Sequence, residues 1–141
     1  MADVEAGLTD ARRQRPISPH LGIYRLMLTL VMSGLHRITG FALYFGMALI
    51  AWWLLAAATG PNTYATFEWF IGTIIGQIVF LGFTWAMIHH ALGGIRHLIW
   101  DLIFGFEPAD REMLARVTII GSLVITALLW VLGYLTVGGP R

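Results

Sequence analysis

Three stretches without a single Asp, Glu, Lys or Arg, residues 38–67, 69–95 and 117–140, govern what this chain can become. Each is longer than the about 20 apolar residues that cross a bilayer as a helix. Only 12% of the 141 residues are charged and 57% are hydrophobic, with a mean hydropathy of +0.73. A chain this short cannot hide so much apolar surface in a water-soluble core. Its low charge also excludes intrinsic disorder. The expected fold class is an all-α membrane protein with three transmembrane helices, about 30–58, 67–103 and 113–137. An amphipathic N-terminal segment, 1–29, precedes them, and a short tail, 138–141, follows.

Charge placement orients the spans. Every fixed positive charge is an Arg; there is no Lys. Arg12, Arg13, Arg15, Arg25 and Arg37 lie before or at the start of the first helix, and Arg96, Arg111 and Arg116 flank the second loop. The first loop has none. The positive-inside rule puts the N-terminus and second loop on the cytoplasmic or matrix side and the C-terminus outside. The polar start, Met1 to Pro16, has no apolar run and is not expected to be a signal peptide. A net charge of +1 implies no basic surface for nucleic acid. With no Cys, disulfides, thiolate nucleophiles, Cys-ligated clusters and c-type haem attachment are excluded. Any haem would be held non-covalently, by His or Met.

Ionisable groups inside membrane helices cost about 2.5–3.5 kcal/mol each for Arg or Asp at a helix centre, so those present need a reason. Two clusters stand out: Ser33, His36 and Arg37, and then His89, His90, Arg96, His97 and Asp101. Under the orientation above both fall in the inner half of the membrane. His90, Gly94, His97 and Asp101 are spaced four, three and four apart and share one helix face. If Arg96 marks the inner boundary, His90 lies roughly 9 Å deeper at 1.5 Å per residue. A deep His beside small Gly93 and Gly94 suits a flat macrocycle, with the imidazole on its iron and its propionates near boundary arginines. The plain alternative is a His hydrogen-bonded to a neighbouring helix across a glycine packing surface. His89 points about 100° away from His90. His97 is a propionate partner or an interfacial His, and Arg96 with Asp101 a boundary pair.

An electron-transfer haem wants two axial ligands. No second deep His exists here, and Met47 and Met87 have nothing to single them out, so the other ligand is expected from a second polypeptide. Ser33 and Arg37, four apart, present a hydroxyl and a guanidinium on one face. They could donate to a quinone carbonyl, or serve as a packing contact and a positive-inside anchor.

Three separated runs resemble one family in the right order. Arg15-Pro16-Ile17-Ser18-Pro19-His20-Leu21-Gly22-Ile23-Tyr24 is similar to the N-terminal signature of the cytochrome b556 subunits of succinate dehydrogenase. Ser33-Gly34-Leu35-His36-Arg37-Ile38-Thr39-Gly40 resembles that family's Ser-x-x-His-Arg-x-[Ser/Thr]-Gly run. His90-Ala91-Leu92-Gly93-Gly94-Ile95-Arg96-His97-Leu98-Ile99-Trp100-Asp101 fits its His-x-x-x-Gly-x-Arg-His-x-x-x-Asp pattern at every fixed position. The resemblance implies a multi-pass membrane anchor of complex II, in a bacterial inner or mitochondrial inner membrane. Its partners would be a flavoprotein subunit, an iron–sulfur subunit and a second small anchor subunit. The chain would be a non-flavin subunit of succinate dehydrogenase, without activity of its own. It would hold haem b through His90, with the second axial His from the partner anchor. Ser33 and Arg37 would line a ubiquinone pocket, and His36, Arg37, Gly94, Arg96 and His97 would surround the haem. Nothing carries over to His89. The rival expectations are the anchor of a quinol:fumarate reductase and a structural anchor without haem.

Overall fold

The computed structural model describes Gly22 and residues 25–138. The segment 15–24, apart from Gly22, and the arginines at 12, 13, 15 and 141 lie outside the described residues. Among the described residues the chain is four helices: α1 (Leu28–Thr59), α2 (Pro61–Gly72), α3 (Ile74–Asp101) and α4 (Pro108–Val137). α1, α3 and the stretch Pro108–Thr136 of α4 are each long and apolar enough to cross a membrane.

The one departure from the expected helix pattern is the second span. A single helix was expected over 67–103; instead the helical chain begins at Pro61 and breaks at Thr73. Pro61 suits a first helical turn, where its missing N–H is not needed. At Thr73 the backbone turns extended, and the hydroxyl satisfies groups on both sides of the break. It donates to the Phe70 carbonyl at 2.6 Å and accepts from the Gly76 amide at 3.0 Å. The Gln77 side-chain Nε2 donates to the Gly72 carbonyl at 3.3 Å. The return is so close that a Cβ on Gly76 would collide with the Phe70 carbonyl. A break within an apolar stretch is tolerable because its freed backbone groups are re-satisfied locally. α2 then lies against the far end of α1, with Trp52 edge-on to Phe67 at 5.1 Å.

α3 packs against both α1 and α4, and α4 also touches α1. The interior is made of small and polar groups: Thr39, Gly46, Ala86, His89, Gly93, Ala115, Thr118, Ser122 and Thr126 are buried. The large apolar side chains mostly face outward. Just 11% of the spanning window of α1, and 17% of those of α3 and α4, is buried within the chain. In lipid this is the expected distribution, since helices associate through small residues and polar contacts rather than through a hydrophobic core.

α4 starts with Glu107 at the cap, Pro108 at its first position and Asp110 in the first turn, where negative charge suits the helix dipole. It ends on Gly138 at φ 83°, a left-handed position that favours glycine.

Candidate functional site

The α1–α3 crossing is built by two histidines that each lie in a gap left by a glycine on the other helix. The His90 ring of α3 rests on Gly40 of α1, where a Cβ would sit 2.9 Å from its Cε1. The His36 ring of α1 rests on Gly93 of α3, where a Cβ would overlap its Nδ1. Phe83 fills the place of a Cβ on Gly46 in the same way. Ascending numbers on α1 meet descending numbers on α3, so the two helices are antiparallel. The two imidazoles stack, with centroids 4.0 Å apart and planes 7° from parallel.

Hydrogen bonding decides which nitrogen of His90 is free. Its Nδ1 lies 3.1 Å from the His36 carbonyl oxygen, which can only accept. Nδ1 must therefore carry the proton, and Nε2 keeps its lone pair. Both hydrogen bonds of His90 among the described residues run through Nδ1. The residue is half-buried, at an edge of the bundle. Such a base, oriented by a backbone carbonyl, is what a metal-ligating imidazole requires. Among the described residues no cluster of three or more His, Asp or Glu forms a site for a bare metal ion.

His89, one residue earlier, is 1% exposed. Its Nδ1 is 3.1 Å from Ser122 Oγ on α4. Ser122 also receives the Trp85 indole N–H at 3.2 Å and donates to the Ile119 carbonyl at 2.8 Å. These groups knit α3 to α4 inside the chain. Ser122, Trp85 and Thr39 carry contacts that sequence reasoning did not assign. A signal was present for Ser122: Thr118, Ser122 and Thr126 recur every four residues on an otherwise apolar helix.

The remaining expected residues divide between two faces of α3. His97 is exposed on the His90 side, its ring 5.2 Å from that of His36. Gly94 is beside His90, with open space where a Cβ would stand. Arg96 instead continues the buried stripe of His89 and Gly93, only 5% exposed, with its guanidinium 5.1 Å from the Trp100 ring centroid. Its Nε, like His36 Nδ1, is buried without a hydrogen-bond partner. Arg96 and Asp101 form no boundary pair: the ion pair found among the described residues joins Glu112 to Arg116, and Asp101 is exposed. The two stand five residues apart, about 140° around the helix.

On α1, Ser33 and Arg37 are both exposed. They share the face next to His36 and Gly40, on the side away from buried Met32 and Thr39. The structure thus brings His36, His90 and His97 together and leaves Ser33 and Arg37 on the adjoining open surface.

The comparisons with known proteins agree with one another. Residues 11–129 match the family described as succinate dehydrogenase/fumarate reductase transmembrane subunit. The chain is 41% identical over 128 residues to the succinate dehydrogenase cytochrome b556 subunit of Paracoccus denitrificans, covering 91% of this chain and 94% of that one. It is 37% identical over 118 residues to the subunit of the same name from Rickettsia felis, 84% and 92% of the two chains. It is 36% identical over 94 residues to the mitochondrial succinate dehydrogenase cytochrome b560 subunit of Mus musculus, 62% of this chain and 53% of that one.

Proposed function

The chain belongs to the succinate dehydrogenase/fumarate reductase transmembrane subunits, and from that membership we propose that it anchors complex II, holds haem b through His90 and contributes Ser33 and Arg37 to a ubiquinone-reduction site. The observation that carries the reading is His90 itself: its Nδ1–H is held by the His36 carbonyl, which leaves Nε2 unprotonated, and the ring is only half-buried. An inert anchor needs no such group at membrane depth. A further His to hold the haem would come from the other anchor subunit, since among the described residues His89, the other deep His, is held by Ser122.

The residues present fit the cofactor in charge as well as in ligand type. His36 presents its ring between His90 and His97. His36, Arg37 and His97 supply the positive and donor groups suited to propionates, with Arg96 about 120° around α3 from His90, while open Gly94 leaves room for a flat face. When bound, haem b supplies a one-electron store.

Toward the quinone, Ser33 and Arg37 act as donors. Reduction places negative charge on a carbonyl oxygen, and a hydroxyl together with a fixed guanidinium stabilises that charge where water is scarce. The electrons come from the iron–sulfur subunit, which receives them from succinate through the flavoprotein. This chain alone has no activity in this scheme. The N-terminus and the α3–α4 loop lie on the cytoplasmic or matrix side and the C-terminus outside, following the arginines. A reporter fused after Arg141 is then read from outside, and a cytoplasmic signal would overturn the orientation.

The test of the whole reading is capture of this subunit from solubilised membranes. Three further chains should co-purify, and the complex should show a reduced-minus-oxidised b-type spectrum. A colourless complex would leave a structural anchor. Within it, Arg37→Lys keeps the charge and loses the planar fork, and Ser33→Ala removes one hydroxyl. Both variants should assemble and oxidise succinate with an artificial acceptor, while ubiquinone reduction falls about tenfold or more. Normal quinone kinetics in both would reduce them to an anchor and a packing contact.

A further inference from the structure

Thr39 lies 1% exposed in the α1–α3 crossing, one turn from His36, and its hydroxyl oxygen is within hydrogen-bond distance of two carbonyls and one ring nitrogen. Thr39 Oγ1 is 2.8 Å from the Leu35 carbonyl and 3.0 Å from the His36 carbonyl. A hydroxyl has one proton and carbonyls only accept, so that proton is committed to the backbone. The oxygen lone pairs remain, and they face His90 Nδ1 at 3.4 Å. Nδ1–H therefore sees two acceptors, the His36 carbonyl at 3.1 Å and the Thr39 hydroxyl. Gly40, the next residue, holds the ring from below, because any Cβ there would press on Cε1.

We propose that Thr39 and Gly40 are positioning residues for the His90 imidazole: Thr39 is a second acceptor on Nδ1–H that strengthens Nε2 as a base, and Gly40 fixes the plane of the ring. The inference rests on the assignment of His90 as haem ligand and goes beyond it, since it concerns what tunes the ligand rather than which residue ligates. A back-bonded threonine that merely fits a helix would have no effect on the ligand. An acceptor on the remote nitrogen raises ligand basicity and favours the more oxidised metal. Removing it should favour the reduced form.

The experiment uses the purified complex, with haem content from its absorbance and the haem midpoint potential from a redox titration. Thr39→Val keeps the shape and deletes the acceptor. It should retain haem and shift the ferric–ferrous equilibrium about threefold toward ferrous, a rise of roughly 28 mV at 59 mV per tenfold for one electron. Thr39→Ser should restore the wild-type potential, which a purely packing role would not require. Gly40→Ala should displace the ring and alter the low-spin spectrum at reduced haem content. His90→Ala is the control for the underlying assignment: retained haem there overturns that assignment itself. If His90→Ala loses haem while Thr39→Val and Gly40→Ala keep the wild-type spectrum and potential, the positioning role alone is overturned.

Discussion

His89 directs its ring into the α3–α4 interface, where Ser122 and Trp85 close around it. His90, about 100° around the same helix, lies on Gly40 of α1 at the half-buried edge. Both are intramembrane histidines and both hydrogen-bond through Nδ1, yet their burial differs. The His89 bond is to Ser122, whose own proton goes to the Ile119 carbonyl, so His89 also donates from Nδ1; what sets it apart is that it is buried between α3 and α4. The His90 bond is to a carbonyl, which fixes the same tautomer, but this ring is only half-buried, so its Nε2 lone pair is not enclosed in the interior. The difference between the two histidines is therefore one of enclosure, one ring buried between helices of its own chain and the other half-buried at their edge.

The adjacent glycines repeat the contrast and give the largest expected effect. A Cβ on Gly93 overlaps the His36 ring, whereas one on Gly94 meets nothing within 4 Å. Overpacking a tight contact costs about 1–3 kcal/mol, so Gly93→Ala should lower the amount of assembled complex about tenfold, read by immunoblot of solubilised membranes. Gly94→Leu should leave insertion of this subunit intact and lower haem per complex several-fold, read by absorbance. Equal effects from the two would mean that the His89 and His90 faces are not different environments.

Ser122→Ala sharpens the other side of the comparison with a smaller effect. Interhelical hydrogen bonds in membrane proteins are worth about 0.6 kcal/mol on average and up to about 1.7. Deleting this hub of the Trp85 and His89 contacts should lower the thermal stability of the complex by about 1 kcal/mol, read by thermal inactivation, with an unchanged haem spectrum. A changed spectrum would tie His89 to the cofactor after all.

Much of this was legible before any coordinates. Uncharged stretches separated by arginines mark the three spans, because length and apolarity are enough to define a membrane helix. Spacing of four, three and four put His90, Gly94 and His97 on one face. The same arithmetic, applied from His89, would have put Arg96 on the buried stripe, since seven residues nearly complete two turns. The break at Thr73 was not read, because a hydroxyl that caps both directions looks in sequence like any threonine in a long apolar run. Nor could the sequence pair His90 with Gly40 or His89 with Ser122: those contacts depend on the vertical register of one helix against another, which periodicity along a single helix does not contain. Thr39 was visible only as a fixed position of a motif, and its partner became evident once α3 was laid against it.

The central claim is that two adjacent histidines have opposite roles, and one pair of spectra tests it. Reduced-minus-oxidised spectra of the purified complex carrying His90→Ala or His89→Ala should be compared at equal protein. Loss of the low-spin b-type signal in His90→Ala, with a signal close to wild type in His89→Ala, is the result expected from the carbonyl-fixed tautomer of His90 and the Ser122-bound ring of His89. A signal that survives in the first variant and vanishes in the second would contradict it.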